Sequence, residues 1–464
     1  MKKLAYLSVF TILMAGCMVG PKYARPAVSM PTDYRAAVPP QPSAPPSSLG
    51  NENWWQVYQD PVLVQLIHTA IQQNYDVRIA AARVLEAQAQ LRVIHSGQLP
   101  SAAVGANLSS QQVAKTSSLF PAYQVNSGEL DLSVIWNLDF WGKYRRETEQ
   151  ARAQLLSTEW GQRVTMSTLV ANVATAYFQL RALDSQLDIA KRTLGSRQQS
   201  LQLTQVLASH GSASDLDVSQ SEQLVYTASA TVPDLERQIE QQENLLSILL
   251  GENPGSIPRG RPLTEQPVPE TVPAGLPSDL LERRPDIRQA EENVVAANAQ
   301  IGVAKANFFP SISLTGSGGL ESNALNQFIS TPSEAWSGII NVSQPVFEGG
   351  ALRGQLALAR AEWQESVLSY QQTVQTALEQ VSNSLVAYQK YRDFRVQQQQ
   401  LTSAAQRSDQ LSLLLYRDGG ASYLQVLTND TNYFSAELNL VQAQLNERLA
   451  LVELYQALGG GWQS

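Results

Sequence analysis

Apolar and polar residues alternate with a period of two in four short stretches of the chain. After Pro100, Ala102, Val104, Ala106 and Leu108 alternate with Ser101, Ala103, Gly105, Asn107 and Ser109. Leu130, Leu132, Val134 and Trp136 alternate with Glu129, Asp131, Ser133 and Ile135. Further on, Ile312 and Leu314 stand against Ser311, Ser313 and Thr315, and Trp336, Gly338, Ile340 and Val342 against Ser337, Asn341 and Ser343. Such alternation predicts strands with one apolar face and one small or polar face. A membrane-barrel strand and a half-buried strand of a soluble sheet share this pattern. Between the strand pairs the period lengthens. From Gly142 to Ser209 there is no proline, and only Gly161 and Gly195 interrupt. A continuous helix of this length spans roughly 100 Å. Within it Leu180, Leu183, Leu187, Ala190 and Leu194 step by three and four, a coiled-coil seam. A matching helix is predicted from about Gly350 to Arg417. Its run Gln397 to Gln400 reads as a solvated face, and Ala80 to Ala82 suits close helix contact.

The pattern occurs twice. Asp76-Val77-Arg78 matches Asp286-Ile287-Arg288, and Pro100 matches Pro310, at an offset of 210. Arg145 and Arg353, Val173 and Val381, Gly211 and Gly419, and Gly251 and Gly459 are each 208 apart. Units this long are not solenoid repeats of roughly 20–50 residues. Each copy is predicted to run helix, two strands, very long helix, turn, helix. The copies occupy residues 51–251 and 278–459, and a Pro-rich connector, 252–277, carries seven prolines. Residues 460–464 form a short tail. Four strands cannot close a membrane barrel, whose smallest form has about eight. The chain is therefore expected to share a barrel with copies of itself: two copies would give eight strands with a filled interior, three would give twelve and a pore.

At the start, Lys2 and Lys3 precede an apolar run, Leu4 to Met14, and then Ala15-Gly16-Cys17. This is a secretory signal, too short to span a bilayer. Small residues directly before a cysteine resemble a bacterial lipoprotein signal, although Met14 stands where Leu is commonest; an ordinary signal peptide with an incidental cysteine is the competing reading. Residues 1–16 then form the signal peptide, and Cys17 becomes a lipidated N-terminus on a Pro-rich linker, 17–50. Such a linker stays extended. Met18, rather than an acidic residue, follows the cysteine, which in lipoproteins resembles outer-membrane sorting. The lipoprotein signal and the lack of any helical span turn the strand reading towards a barrel.

Composition narrows the function. Among 464 residues the formal charge is −8, which speaks against nucleic-acid binding. Cys17 is the only cysteine, so no disulfide framework exists, and His68, His95 and His210 sit in no metal-ligand spacing. No HExxH, GxxxxGK[ST] or GxSxG occurs. No enzyme constellation, metal or cofactor is expected, apart from a covalent lipid on Cys17.

The stretch Leu281-Glu-Arg-Arg-Pro-Asp-Ile287 is followed by Ala290-Glu291, Ala296-Ala297-Asn298-Ala299, Ile301-Gly302-Val303-Ala304 and Phe309-Pro310. With Cys17, Gly20-Pro21, Tyr23, Pro26 and Leu458-Gly459-Gly460-Gly461-Trp462, it closely resembles the outer-membrane factors of tripartite efflux systems, the TolC-like family in its lipoprotein branch. The resemblance covers nearly the whole mature chain. It implies an α+β membrane protein: a homotrimer with a 12-stranded outer-membrane β-barrel, four strands per chain, continuous with a long periplasmic 12-helix α-barrel. It implies a passive exit duct working with a periplasmic membrane-fusion adaptor and an inner-membrane resistance-nodulation-division pump. A metal-ion duct and a type I secretion duct are the alternatives; a structural coiled-coil adaptor fits the alternating strands and the doubled unit less well, and an envelope enzyme lacks any constellation to name.

The family places gate and docking surface at the two helical turns, here Ser209 to Asp215 and Arg417 to Tyr423. Gly211, Ser214, Asp215, Gly419 and Ser422 are the adaptor-docking candidates, and they also have ordinary turn and cap chemistry. The family's ring of gate aspartates falls near Gln425 and Thr428, and neither is acidic here. The gate candidates are therefore Tyr423, Leu424, Gln425 and Thr428, with Asp418 and Asp430 nearby; Asp217 lies close as well. For these three aspartates a solvated surface is the competing reading. His210 is a candidate pH sensor or an ordinary loop histidine.

Overall fold

A computed structural model describes residues 18–35, 48–114, 123–269, 272–323, 329 and 333–463. The signal peptide and Cys17 lie outside the described residues. In chain order the elements are α1 (Trp54–Val57), α2 (Pro61–Gln73), α3 (Tyr75–Ser96), β1 (Ser101–Val113), β2 (Tyr123–Leu138), α4 (Lys143–Ser209) and α5 (Asp215–Leu250). Then follow α6 (Leu280–Arg283), α7 (Pro285–Ala306), β3 (Ser311–Ser322), β4 (Glu334–Ser343), α8 (Ala351–Arg417) and α9 (Tyr423–Ala457). Both long helices, α4 and α8, run 67 residues unbroken through their glycines. In the α4 seam, Leu180 and Ala190 are fully buried and Leu183, Leu187 and Leu194 partly so.

One expectation needs correction. More than one helix precedes the strands in each copy: α1, α2 and α3 in the first, α6 and α7 in the second. In the first copy the break falls at Asn74, whose Oδ1 accepts from the N–H groups of Asp76 and Val77 and so starts a new helix. In the second copy it falls at Arg284, held extended before Pro285, which has no N–H to continue the ladder. The second-copy α6 is consequently only one turn long.

The described chain forms two compact units, and each takes segments from both sequence repeats. One comprises residues up to Ala27, Arg83–Glu159 and Gln289–Gln371; the other comprises Val28–Ala82, Trp160–Arg288 and Gln372 onward. In the first unit the strands form one antiparallel sheet in the order β1-β2-β3-β4, so the middle pairing, β2 with β3, joins the two copies. The register puts like with like: Val104 lies opposite Leu132, Trp136 opposite Leu314, and Leu314 opposite Ile340. The predicted apolar set therefore shares one face. Val104 is 74% exposed, Leu108 73% and Trp336 86%. Ser109 and Ser127, and Ser317 and Ser337, hydrogen-bond across the polar face, where Ile135 and Ile339 are the departures. In this unit the N-terminal arm is stitched to helices. Buried Arg146 on α4 donates to the carbonyls of Val19 and Pro21, and Arg25 makes a bidentate pair with Glu291 on α7 at 2.7 Å.

The second unit has a carboxylate at its centre. Asp60, the N-cap of α2, is fully buried. It accepts from the Val62 and Arg261 N–H groups, from the Tyr177 hydroxyl at 2.9 Å and from Gln266 Nε2 at 2.6 Å. Burial acts to raise its pKa, but the hydrogen bonds from Gln266, Tyr177, Val62 and Arg261 outweigh it and hold it below the ordinary value. The Pro-rich connector is thereby tied to α2 and α4. Gly260 passes so close that a Cβ would meet the Asp60 carboxylate and the Tyr177 hydroxyl. Asp60→Ala leaves these donors buried without an acceptor, and should lower stability by about 3 kcal/mol. Asp60→Asn should cost less, since one oxygen acceptor remains. Denaturation midpoints of the two variants check the order.

Candidate functional site

The two predicted turns lie in the second unit and have the same backbone design. At the first, the Gly211 N–H donates to the Ala208 carbonyl and that of Ser212 to Leu207 at 2.8 Å. At the second, the Gly419 N–H donates to Tyr416 and that of Gly420 to Leu415 at 2.7 Å. Gly211 and Gly419 sit at φ of 77° and 74°, where a Cβ is strained. Both turns are exposed apart from partly buried Ala213 and Ala421 and buried Tyr423.

Their caps differ. Ser214 begins α5 with a reciprocal capping box. Its hydroxyl accepts from the Asp217 N–H, and the Asp217 carboxylate accepts from the Ser214 N–H at 2.9 Å. Asp215 stands exposed in the same first turn, where a negative charge suits the helix dipole. Ser422 begins α9 with no side-chain cap bond. By the 208-residue offset, Gln425 is the counterpart of Asp217. Gln425 is exposed, and so are Leu424 and Thr428, whose hydroxyl donates back to the Leu424 carbonyl at 2.8 Å. Asp418 is exposed. His210 is exposed too, with Nδ1 2.8 Å from the Val206 carbonyl.

Tyr423 and Asp430 turn inward. Tyr423 is 3% exposed, with its ring 5.4 Å from that of Tyr416. Asp430 is no solvated surface group. Its carboxylate accepts from Arg197 Nε at 2.8 Å and lies 2.7 Å from Nη2. Arg197 is itself buried. Its Nη1 donates to the Leu224 carbonyl, and its guanidinium lies over the Phe434 ring at 5.0 Å. One arginine on α4 thus ties α5 and α9 together. Asp409, from α8, lines the same small cavity. Burial, and then the Asp430 carboxylate, push Asp409 up to about 6 against the pull of Arg197. Burial also raises Asp430, with Arg197 opposing. The hydroxyls of Ser221 and Tyr423, which also line the cavity, are buried without a partner, so this polar junction is not fully satisfied within the chain.

Arg197 and Asp409 were not legible as site residues. They sit mid-helix at no recognisable spacing, and only the convergence of four helices makes them neighbours. Among the described residues no group of three or more His, Cys, Asp and Glu side chains could hold a metal, and no helix is long and apolar enough to cross a membrane.

The described chain carries a four-stranded sheet with an exposed apolar face and two helices of 67 residues. It belongs to the outer membrane efflux protein family, whose sequence profile matches residues 66–252 and 276–460. It is 35% identical over 477 residues to the solvent efflux pump outer membrane protein SrpC of Pseudomonas putida, with 99% of each chain covered. It is 32% identical over 455 residues to the cation efflux system protein CusC of Escherichia coli O6:H1, with 97% of each covered. The solved outer-membrane channel OprN superposes with a TM-score of 0.89 at 30% identity, covering 97% of this chain and 100% of that one. The expected fold class and efflux role hold: this is an outer-membrane efflux channel subunit contributing four strands, in a family of channels rather than enzymes.

The Asp409 environment gives a prediction with a definite sign. A carboxyl whose folded pKa is raised binds its proton more tightly folded than unfolded, so stability falls as pH rises from about 4 to about 6. Asp409→Asn should raise the thermal midpoint at pH 7, leave it nearly unchanged at pH 4 and flatten the profile between. Thermal midpoints across this pH range test it.

Proposed function

We propose that the protein is the passive exit duct of a tripartite efflux pump, assembled as a homotrimer in the outer membrane and reaching into the periplasm. The observation that carries this reading is the four-stranded sheet with open edges at β1 and β4 and an exposed apolar face. Three copies supply twelve strands, enough to enclose a pore where eight would fill with side chains. Membrane lipid then covers Val104, Leu108, Trp336 and Ile340. An adaptor docks on the exposed turns through Gly211, Ser214, Asp215, Gly419 and Ser422, and a proton-driven inner-membrane pump of the resistance-nodulation-division type supplies the energy. Cys17 carries the lipid, palmitate among its acyl chains.

The gate of this duct is formed by Leu424, Gln425 and Thr428, exposed on the first turns of α9, with Tyr423 as their buried anchor and Asp418 at the rim. Asp430 contributes from behind, through Arg197. Because Gln425 and Thr428 replace the family's acidic ring, closure rests on polar and apolar contact rather than on charge. Drugs and other toxic compounds are the first cargo reading, and the similarity to the solvent efflux protein SrpC supports organic solvents among them. Metal-ion export is the second, supported by the 32% identity to CusC.

Crosslinking in intact cells, capture of this protein and mass spectrometry of its companions test the assignment. An adaptor with a proton-driven pump is the expected result. An ATP-driven exporter would move the cargo towards peptides or proteins, and recovery of neither from well-expressing cells would remove the tripartite reading. Gln425→Ala and Thr428→Ala should raise single-channel conductance in planar bilayers; unchanged conductance removes these residues from the gate. Cys17→Ser should abolish incorporation of radiolabelled palmitate.

A further inference from the structure

In the first unit, β2, β3 and β4 meet level at one end of the sheet. Leu138, the last residue of β2, pairs with Ile312, and Ser343, the last of β4, pairs with Ser311, the first of β3. Beyond this end β4 passes into α8 through residues 344–350, so it is the periplasmic end. The ten residues of β4, at the tilt of a barrel strand, rise about 25 Å, the height of the apolar band of a membrane barrel. The link to α8 therefore begins where hydrocarbon gives way to headgroups.

This link holds two large apolar side chains away from the rest of the chain. Val346 is 93% exposed and Phe347 89%. The link is pinned at both ends. Gln344 Nε2 donates to the Phe308 carbonyl at 3.1 Å and to that of Pro345 at 3.0 Å, and Gly349 and Gly350 turn the chain into α8 at φ of 59° and 92°. Val346 and Phe347 line a cavity of about 320 Å³ together with Phe308 and Leu352, and Glu348 and Arg353 complete its charged rim. Both charged residues are exposed. At the same end of the sheet Trp141 stacks on Phe309 at 4.8 Å and donates its Nε1–H to the Pro310 carbonyl at 2.8 Å, an aromatic placement suited to a membrane–water boundary.

We propose that this cavity binds a zwitterionic phospholipid of the periplasmic leaflet, one that carries a phosphate and a primary ammonium, as phosphatidylethanolamine does. Arg353 takes the phosphate, Glu348 takes the ammonium, and Val346 and Phe347 lie among the first acyl carbons. One guanidinium and one carboxylate at the rim of an apolar crevice match a headgroup of two opposite charges above hydrocarbon. Such a lipid continues the cover of the strand face, from Trp336, Ile340 and Val342 to Phe347. The site depends on that strand face being lipid-covered. An adjoining copy of the chain is the competing cover, and the experiment separates the two.

Ile340, Phe347 and the exposed turn residue Ser212 are each replaced in turn by photoreactive benzoylphenylalanine in the full-length protein, in vesicles of phosphatidylethanolamine with a minor share of phosphatidylglycerol. Photolysis should give lipid adducts from positions 340 and 347 and none from 212. A chain-to-chain adduct without lipid at 347, with lipid still at 340, overturns the site and leaves the strand face in lipid. Absence of lipid at 340 as well removes the lipid-covered face and the site with it. In detergent, the washed full-length protein should retain phosphatidylethanolamine in preference to phosphatidylglycerol, read by mass spectrometry of the extracted lipid. Arg353→Gln should retain roughly tenfold less, the effect of losing one charge-assisted contact, with an unchanged circular dichroism spectrum. Glu348→Gln should remove the preference between the two lipids. Equal retention of both by the unmodified protein, or undiminished retention by Arg353→Gln, overturns the proposal.

Discussion

A β-sheet with free edges and a dry face has to be finished by something outside itself. Among the described residues β1 and β4 are the edge strands, and even-numbered strand residues such as Val104, Leu132, Trp336 and Ile340 share an exposed apolar face. Unpaired backbone groups are costly in hydrocarbon, so a membrane sheet must close. Closure needs more strands than the four among the described residues. From that single constraint follow sharing of a barrel between copies, the outward placement of Trp336 and Ile340, and the Ser–Ser pairs on the opposite, polar face.

The helical parts are held differently. Their apolar seams are narrow, and specific order comes from a few buried polar junctions. Asp60 gathers Tyr177, Gln266 and two backbone donors around one carboxylate, so the Pro-rich connector has a fixed position instead of trailing as a linker. Arg197 does the same for α4, α5 and α9, but less completely, because Asp409 adds a second negative charge that one guanidinium cannot fully neutralise. A satisfied junction makes a rigid scaffold, and an incompletely satisfied one makes an element that can rearrange. It is consistent with the proposed function that the incomplete junction lies beside the turns and the satisfied one at the connector.

The two turns share a backbone and differ in chemistry. Asp217 closes a capping box in the first copy, and the equivalent Gln425 closes none in the second. The second turn is thus the less firmly capped of the two.

The strands, their faces, the long helices and the doubled unit were all legible in the sequence. Period-two and heptad patterns are local, and a chain offset of 208 or 210 residues is visible without coordinates. The turns were legible too, because Gly211 and Gly419 mark places where only positive φ will serve. The extra helix breaks at Asn74 and Arg284 were missed, although Pro285 and the cap chemistry of Asn74 were in view. The junctions at Asp60 and Arg197 had no such signal. Asp60 meets Gln266 across 206 residues, and Arg197 meets Asp430 across 233. A lone charged residue in a helix reads the same whether it faces water or a buried partner. Periodicity and turn chemistry are written in neighbouring residues, and so the sequence by itself determined the elements and their apolar faces. Which charges end up out of water, and against what, depends on long-range packing that only the tertiary structure decided.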